Sequence, residues 1–193
     1  MSEETIRRVL DKYFGFMDEI GGNSFIEELI PEELIDVEKE PPYAGIRFWR
    51  AIKSTVTKVE IRALEDYYGH RLPQSYHYFL RCRHFIALEL GQQSIAFFKN
   101  LPRTLIEDTE EEIEEFYEGL IERNYLPFAR ISDVGVLCFD ANTGGANQAY
   151  EIVGFDQEDG FARPAFCAKN FATMFVAFEA HLDDWISNRR AKE

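Results

Sequence analysis

The amino-acid sequence predicts an α+β fold with a largely antiparallel sheet. Two observations carry this. Short β-rich stretches bounded by turn residues follow one another over 84–100 and 125–166, whereas helical periodicity lies mostly outside those runs, so strands and helices are partly segregated rather than alternating. The chain is also long and apolar enough for one well-filled core: 193 residues, 46% hydrophobic, with 17 Phe and 9 Tyr.

The elements follow in order. Over residues 3–18, Ile6, Val9, Leu10, Tyr13, Phe14 and Met17 recur at three- and four-residue steps, the apolar stripe of a helix that Gly21 and Gly22 end. Residues 23–45 hold three prolines and many acids and read as a loop or an arm laid across the domain. The expected organisation is thus an N-terminal helix with an irregular arm over 1–45 and the main domain over 46–193. "GIRFWRAIKSTVT" reads as extended. Thr57 and Glu60 form a T-x-x-E capping box for a helix with Val59, Leu64 and Tyr67 inward, closed by Gly69. Pro73 suits the first turn of the next helix, which Tyr76, Phe79 and Leu80 turn toward the core. "HFIALELG" and "QSIAFFKN" read as strands either side of Gly91. Thr109 and Glu112 read as a second capping box, before an apolar stripe of Ile113, Phe116, Tyr117, Leu120 and Ile121. "YLPFARI", "VGVLCFD" and "AYEIVGF" are strands, with a tight turn at 132–135 and a short last strand near 164–166. Asn170 caps a final helix carrying Phe171, Met174, Phe175 and Phe178.

Charge narrows the function classes. A formal net charge of −14 repels nucleic-acid phosphates and anionic lipid, so the expected partner is a protein, basic in character, with neither nucleic acid nor membrane involved. The N-terminus does not read as a secretory signal, and no apolar run is long enough to span a bilayer. Cys82, Cys138 and Cys167, an odd count, read as reduced thiols in a cytoplasm.

Several stretches invite chemistry. "DANTGGANQAYE", 140–151, approaches EF-hand spacing, with Asp140, Asn142, Gly145 and Glu151 at positions 1, 3, 6 and 12. Its flanks read as strands, however, and Gly144 offers no side-chain oxygen at the fifth position. The stretch reads as a connecting loop whose glycines supply positive φ, with Asp140, Asn142 and Asn147 as candidate partner contacts. His77, Cys82 and His84 lack the paired spacing of a zinc site, and no metal or cofactor is expected. A Cys–His nucleophile pair meets only in space, and no local signature supports one; Asp133, Asp140 and Asp156 at strand ends are the other catalytic candidates. Trp49, between apolar and arginine neighbours, reads either as a core anchor or as an interface residue. Glu111, Glu114, Glu115, Glu118 and Glu122 lie opposite the apolar stripe of their helix. They form an acidic face that is either a solubilising surface or a contact for a basic partner.

Taken in order, "WRAIKSTVTKVEI" (49–61), "ALEDYYGHRLPQSYHYFL" (63–80), "LPFA" (126–129) and "GVLCFD" (135–140), then "YEIVGFD" and "AKNFATMF", make the chain resemble the SMI/KNR family of the SUKH superfamily. The family pattern is a helix bearing Glu, then Gly and Leu-Pro, then a helix ending in Phe-Leu. A Pro-Phe-Ala strand, a Gly…Phe-Asp hairpin and a final helix follow. The likeness covers 49–178. The sequence departs from the pattern after Leu80, where many members carry a Gly-rich turn and this chain has "RCRHFIALELG", and in the acidic helix over 109–124. The resemblance implies a twisted sheet packed by helices, and a binding role with no catalytic residues to carry over. Bacterial members look like immunity proteins that neutralise toxins of interbacterial competition, often nucleases. Fungal members act in cell-wall and signalling regulation, which makes a regulatory or scaffold module the alternative; an enzyme is the third.

Overall fold

Six antiparallel strands form the main sheet in the order β10-β9-β8-β7-β6-β5. In the computed structural model, which describes residues 2–91, 94–131, 135–144 and 149–192, these are β5 (Glu89–Leu90), β6 (Ile95–Phe97), β7 (Tyr125–Ile131), β8 (Gly135–Asp140), β9 (Glu151–Asp156) and β10 (Ala165–Ala168). The sheet is a meander, interrupted between β6 and β7 by α4 (Leu105–Phe116) and α5 (Glu118–Ile121). Val136, Leu137, Cys138 and Phe139 of β8 are all buried, so this central strand is covered on both faces and reads as a continuous apolar run. Phe139 stacks on Phe128 at 4.3 Å and meets Phe171 of α6 (Phe171–Arg190) at 5.7 Å. The turn expected at 132–135 lies, except for Gly135, outside the described residues.

The α2–α3 junction explains one sequence pattern. Thr57 caps α2 (Lys58–Tyr68): its hydroxyl accepts the Glu60 N–H at 3.2 Å while the Glu60 carboxylate accepts the Thr57 N–H at 2.7 Å. Gly69, at φ +68°, closes α2 in the left-handed conformation, and α3 (Gln74–Leu80) starts after Pro73. Ile61, Leu64, Glu65 and Tyr68 form the buried face of α2. Val59, expected inward, is 77% exposed, and Tyr67 is only half-buried. The capped start fixes the helix phase, and a residue two positions before Ile61 lies about 200° around the axis from it.

Helix α1 (Ser2–Glu19) belongs to the same core, with Ile6, Val9 and Leu10 fully buried. It lies along α6 in the same direction: Arg8–Glu179, Lys12–Asp183 and Glu19–Arg190 are ion-paired, each across the same 171-residue offset. The arm after it contains β1 (Ser24–Ile26), two single 3-10 turns and β2 (Ile46–Phe48), which pairs with β1. Ile30 and Leu34 anchor it in the core. A second ribbon joins β3 (Ile52–Lys53) to β4 (Arg83–His84). Of the two readings of Trp49, core anchor or interface residue, the structure has the first: it is 3% exposed and meets the Phe14 ring edge-on at 6.0 Å, so it offers no surface to a partner. Asn170 caps α6, its side chain accepting the Thr173 N–H at 2.9 Å.

Candidate functional site

The acidic segment is two helices. Tyr117, at φ −133° and ψ 9°, ends α4 and precedes α5, so the expected single apolar stripe bends there. Ile113, Tyr117 and Leu120 are buried and Ile121 is half-buried; Tyr117 stacks near-parallel to Phe98 at 6.4 Å. The second expected capping box does not form. Helix α4 starts at Leu105, four residues before Thr109, whose buried hydroxyl donates to the Leu105 carbonyl at 2.7 Å from within the helix. A Thr in mid-helix bonds back to the carbonyl four residues earlier, and so leaves the same T-x-x-E spelling without a cap. Thr104, the true first flank, donates to Asp108 Oδ2 at 2.7 Å rather than capping.

The carboxylates of α4 divide by direction. The inner ones meet cations: Asp108 pairs with Lys99 at 2.8 Å, and Glu112 with Arg130 at 3.3 Å. Burial works against the Lys99 ammonium, but the Asp108 hydrogen bond and the charges of Asp108, Glu111 and Glu112 outweigh it and hold its pKa above the ordinary lysine value. Glu111 reaches Lys99 only at 4.0 Å and is 73% exposed. Glu107 and Glu110 have no ion-pair partner among the described residues, and Glu122 is exposed beyond α5. The side chains of Glu114, Glu115 and Glu118 lie outside the described set.

The 140–144 loop is tied to the turn after α5. Asp140 Oδ1 accepts both the backbone N–H and the side-chain amide of Asn142, each at 3.0 Å. That amide also donates to the Arg123 carbonyl at 3.1 Å, and Asn124 donates to Asn142 Oδ1 at 3.1 Å. Arg123 in turn lies over the Tyr125 and Phe155 rings and donates to the Phe161 carbonyl at 2.7 Å. The acidic segment and the loop, separate candidates in sequence, therefore adjoin. Asp140 is buried with Oδ1 held inside this network, which leaves it little surface to offer a partner; Asn147 lies outside the described residues. The strand flanks of the loop are β8 and β9, not the helices of an EF-hand. Gly144 does not supply positive φ. It is needed for close approach, since a Cβ there would sit 2.0 Å from Tyr150 Cε1.

Among the described residues the catalytic candidates do not converge. His84 is buried; its Nδ1 meets the Asn100 carbonyl at 3.1 Å and its Nε2 accepts the Thr55 N–H at 2.9 Å. These contacts occupy both ring nitrogens. Burial lowers its pKa, chiefly by disfavouring the charged ring. Burial raises the Cys82 thiol, against a hydrogen bond from Tyr78 that lowers it. Asp140 pairs with Glu151 at one end of the β8–β9 register and Asp156 with Gly135 at the other, roughly 17 Å apart at strand rise. Asp133 lies outside the described residues. No group of three or more His, Cys, Asp or Glu suited to a metal occurs among the described residues, and no described helix is long and apolar enough to cross a membrane.

Sequence reasoning missed the buried hub at Glu65. This carboxylate accepts the Leu72 N–H at 2.9 Å, bonds Arg71, and meets His77 Nε2 at 3.0 Å. The E…G…LP spelling was its signal. The architecture is that of an α+β domain in which a meander sheet is packed by helices and the α2–α3 junction is locked by that glutamate. The chain belongs to the SMI1/KNR4 family (SUKH-1), whose model matches residues 55–177. Comparison with curated proteins gives no match. The matched span begins just before α2 and ends within α6, outside α1 and the arm.

Proposed function

We propose that this chain is a non-catalytic, protein-binding domain of the immunity type, which acts in the cytoplasm and neutralises a cognate basic toxin, a nuclease being the class best suited to it. The observation that carries this reading is the division of charge on α4. The neighbouring cations, Lys99 just past β6 and Arg130 of β7, are spent on the inner carboxylates, while Glu107 and Glu111 are exposed and Glu110 is half-buried with no ion-pair partner among the described residues. A nuclease must be basic where it holds phosphate, and an acidic helix face complements such a cleft and speeds encounter with it. Family membership supports a binding role, and the internal hydrogen bonding of His84, with the raised thiol of Cys82, supports the absence of catalysis.

The test is co-expression with each secreted toxin domain encoded beside this gene. The expected result is restored growth for one of them and a stable complex of the two purified proteins. No rescue and no complex with any neighbouring domain refutes the reading.

A further inference from the structure

The arm between α1 and β3 carries five of the nine exposed large apolar side chains among the described residues. Phe25, Ile26, Leu29, Val37 and Tyr43 fall within it, whereas Val59, Phe166, Val176 and Trp185 are dispersed along the rest of the chain. The β1–β2 register sets one apolar face of this arm. Ile26 stands opposite Ile46 and Ser24 opposite Phe48, so these four share one face of a two-stranded ribbon, while Phe25 and Arg47 point the other way. Pro42 and Tyr43 fold over the shared face and leave a groove of about 520 Å³. Tyr43 is 75% exposed and Ile26 48%, although Phe48 and Ile46 at the floor are half-buried. A ribbon of three-residue strands is marginal by itself, and an apolar patch with a polar rim marks an interaction surface.

The rim decides the occupant. Glu28 and Glu40, each two residues along the chain from Ile26 and Pro42 of the groove, are exposed and have no ion-pair partner among the described residues, whereas Glu38 lines a separate hollow. The cation over the Phe48 ring, Lys39, is itself paired with Asp18, and Arg47 is paired with Glu27 at 2.9 Å. We infer that this groove docks a partner protein through an aliphatic or aromatic side chain flanked by lysines or arginines. A second copy of this chain is the poorer fit, because a two-fold contact places the same two carboxylates of both copies on one face. The inference rests on the protein-binding reading but not on the toxin assignment. It places a specificity surface outside the span that the family model matches.

The test is selection of displayed short random peptides on the full chain, with counter-selection on the Ile26→Ser/Tyr43→Ser variant. A Glu28→Lys/Glu40→Lys variant, altered only at exposed positions, serves as the second arm and keeps the test valid should the first variant not fold. Enriched peptides are expected to carry an apolar residue between basic ones. They should bind the unaltered chain at least about tenfold more tightly than either folded variant, and protect the amides of 24–26 and 43–48 from hydrogen exchange. Peptides that bind chain and variants equally, acid-rich peptides, or sedimentation as a dimer that Glu28→Lys/Glu40→Lys leaves intact overturn the assignment. Failure here alongside a stable toxin complex discards this groove and leaves the protein-binding reading standing; failure of both discards that reading.

Discussion

Glu65, on the buried face of α2, accepts the backbone N–H of Leu72 at 2.9 Å and so fixes the turn that leads into α3. Burial alone raises this carboxyl, but the Leu72 N–H, Arg71 and His77 together outweigh it and hold its pKa below the ordinary glutamate value. A carboxyl depressed on folding contributes stability that is fully present above its unfolded pKa, about 4.3, and is lost as pH falls through the folded value. Glu65→Ala is expected to cost about 2–3 kcal/mol at neutral pH, since it strands a buried N–H and two side-chain donors. Urea titrations across the acid range check both points: Glu65→Gln should flatten the fall in stability below pH 4.3 relative to the unaltered chain. An unchanged acid limb refutes the assignment.

The two T-x-x-E spellings predict opposite outcomes for one substitution. Thr57→Val removes a helix cap and is expected to cost about 1 kcal/mol. Thr109→Val keeps the buried shape and loses only a back-bonded hydroxyl, so it should stay within about 0.5 kcal/mol of the unaltered chain. Thermal or urea unfolding of both variants decides it; equal costs refute the distinction.

Legibility in the sequence followed the range of the interactions. The cap at Thr57, the left-handed Gly69 and the Asn170 cap involve neighbours within about three residues, and the residue types alone announce them. The strands of the main sheet were legible because β8 and β9, buried on both faces, read as apolar runs between turns. What failed depended on distant partners. Apolarity alone puts Val59 inward, but the phase of α2 is set by the cap and by what Ile61 and Leu64 meet. The T-x-x-E spelling at Thr109 does not mark the start of α4, because that start follows from burying Leu105, a tertiary fact. The acidic face was visible as a composition, but only the fold shows that Lys99 and Arg130 neutralise its inner side. The joining of Asn142 to Arg123 and Asn124 had no local signal.

Helix α1 lies outside the family span yet supplies core side chains. Leu10→Ala is expected to cost about 2–5 kcal/mol, as a buried cavity does. Lys12→Ala breaks an exposed pair with Asp183 and should cost less than about 1 kcal/mol, less still at high salt. Urea unfolding at two salt concentrations measures both. A mild Leu10→Ala would mean that α1 is an appendage rather than part of the core.

Gly144 predicts a steric coupling. Gly144→Ala must displace the Tyr150 ring and is expected to cost about 1–3 kcal/mol. In a Tyr150→Leu background the same substitution should cost clearly less, because the crowding ring is gone. A double-mutant cycle with no coupling refutes the close approach as the reason for glycine.

The outward carboxylates of α4 predict a kinetic effect rather than a structural one. Glu107 and Glu110 lack partners among the described residues and Glu111 holds Lys99 only at 4.0 Å, so converting all three to Lys removes no strong contact within the fold. The four-apart pair at 107 and 111 stays like-charged after the substitution and repels by a few tenths of a kcal/mol either way, at around 0.2–0.5. The fold should therefore survive with its melting temperature little changed. Association with the basic partner proposed for this chain, followed by stopped flow, should slow on the order of tenfold or more at low ionic strength. The two proteins should converge at high salt, where charges beyond about 10 Å are screened, so the variant's rate depends less steeply on salt. Dissociation should change less than association, because exposed charges act on encounter more than on the seated complex. Unchanged association rates with the fold intact would leave this helix as a solubilising surface and move the search for the contact elsewhere on the chain.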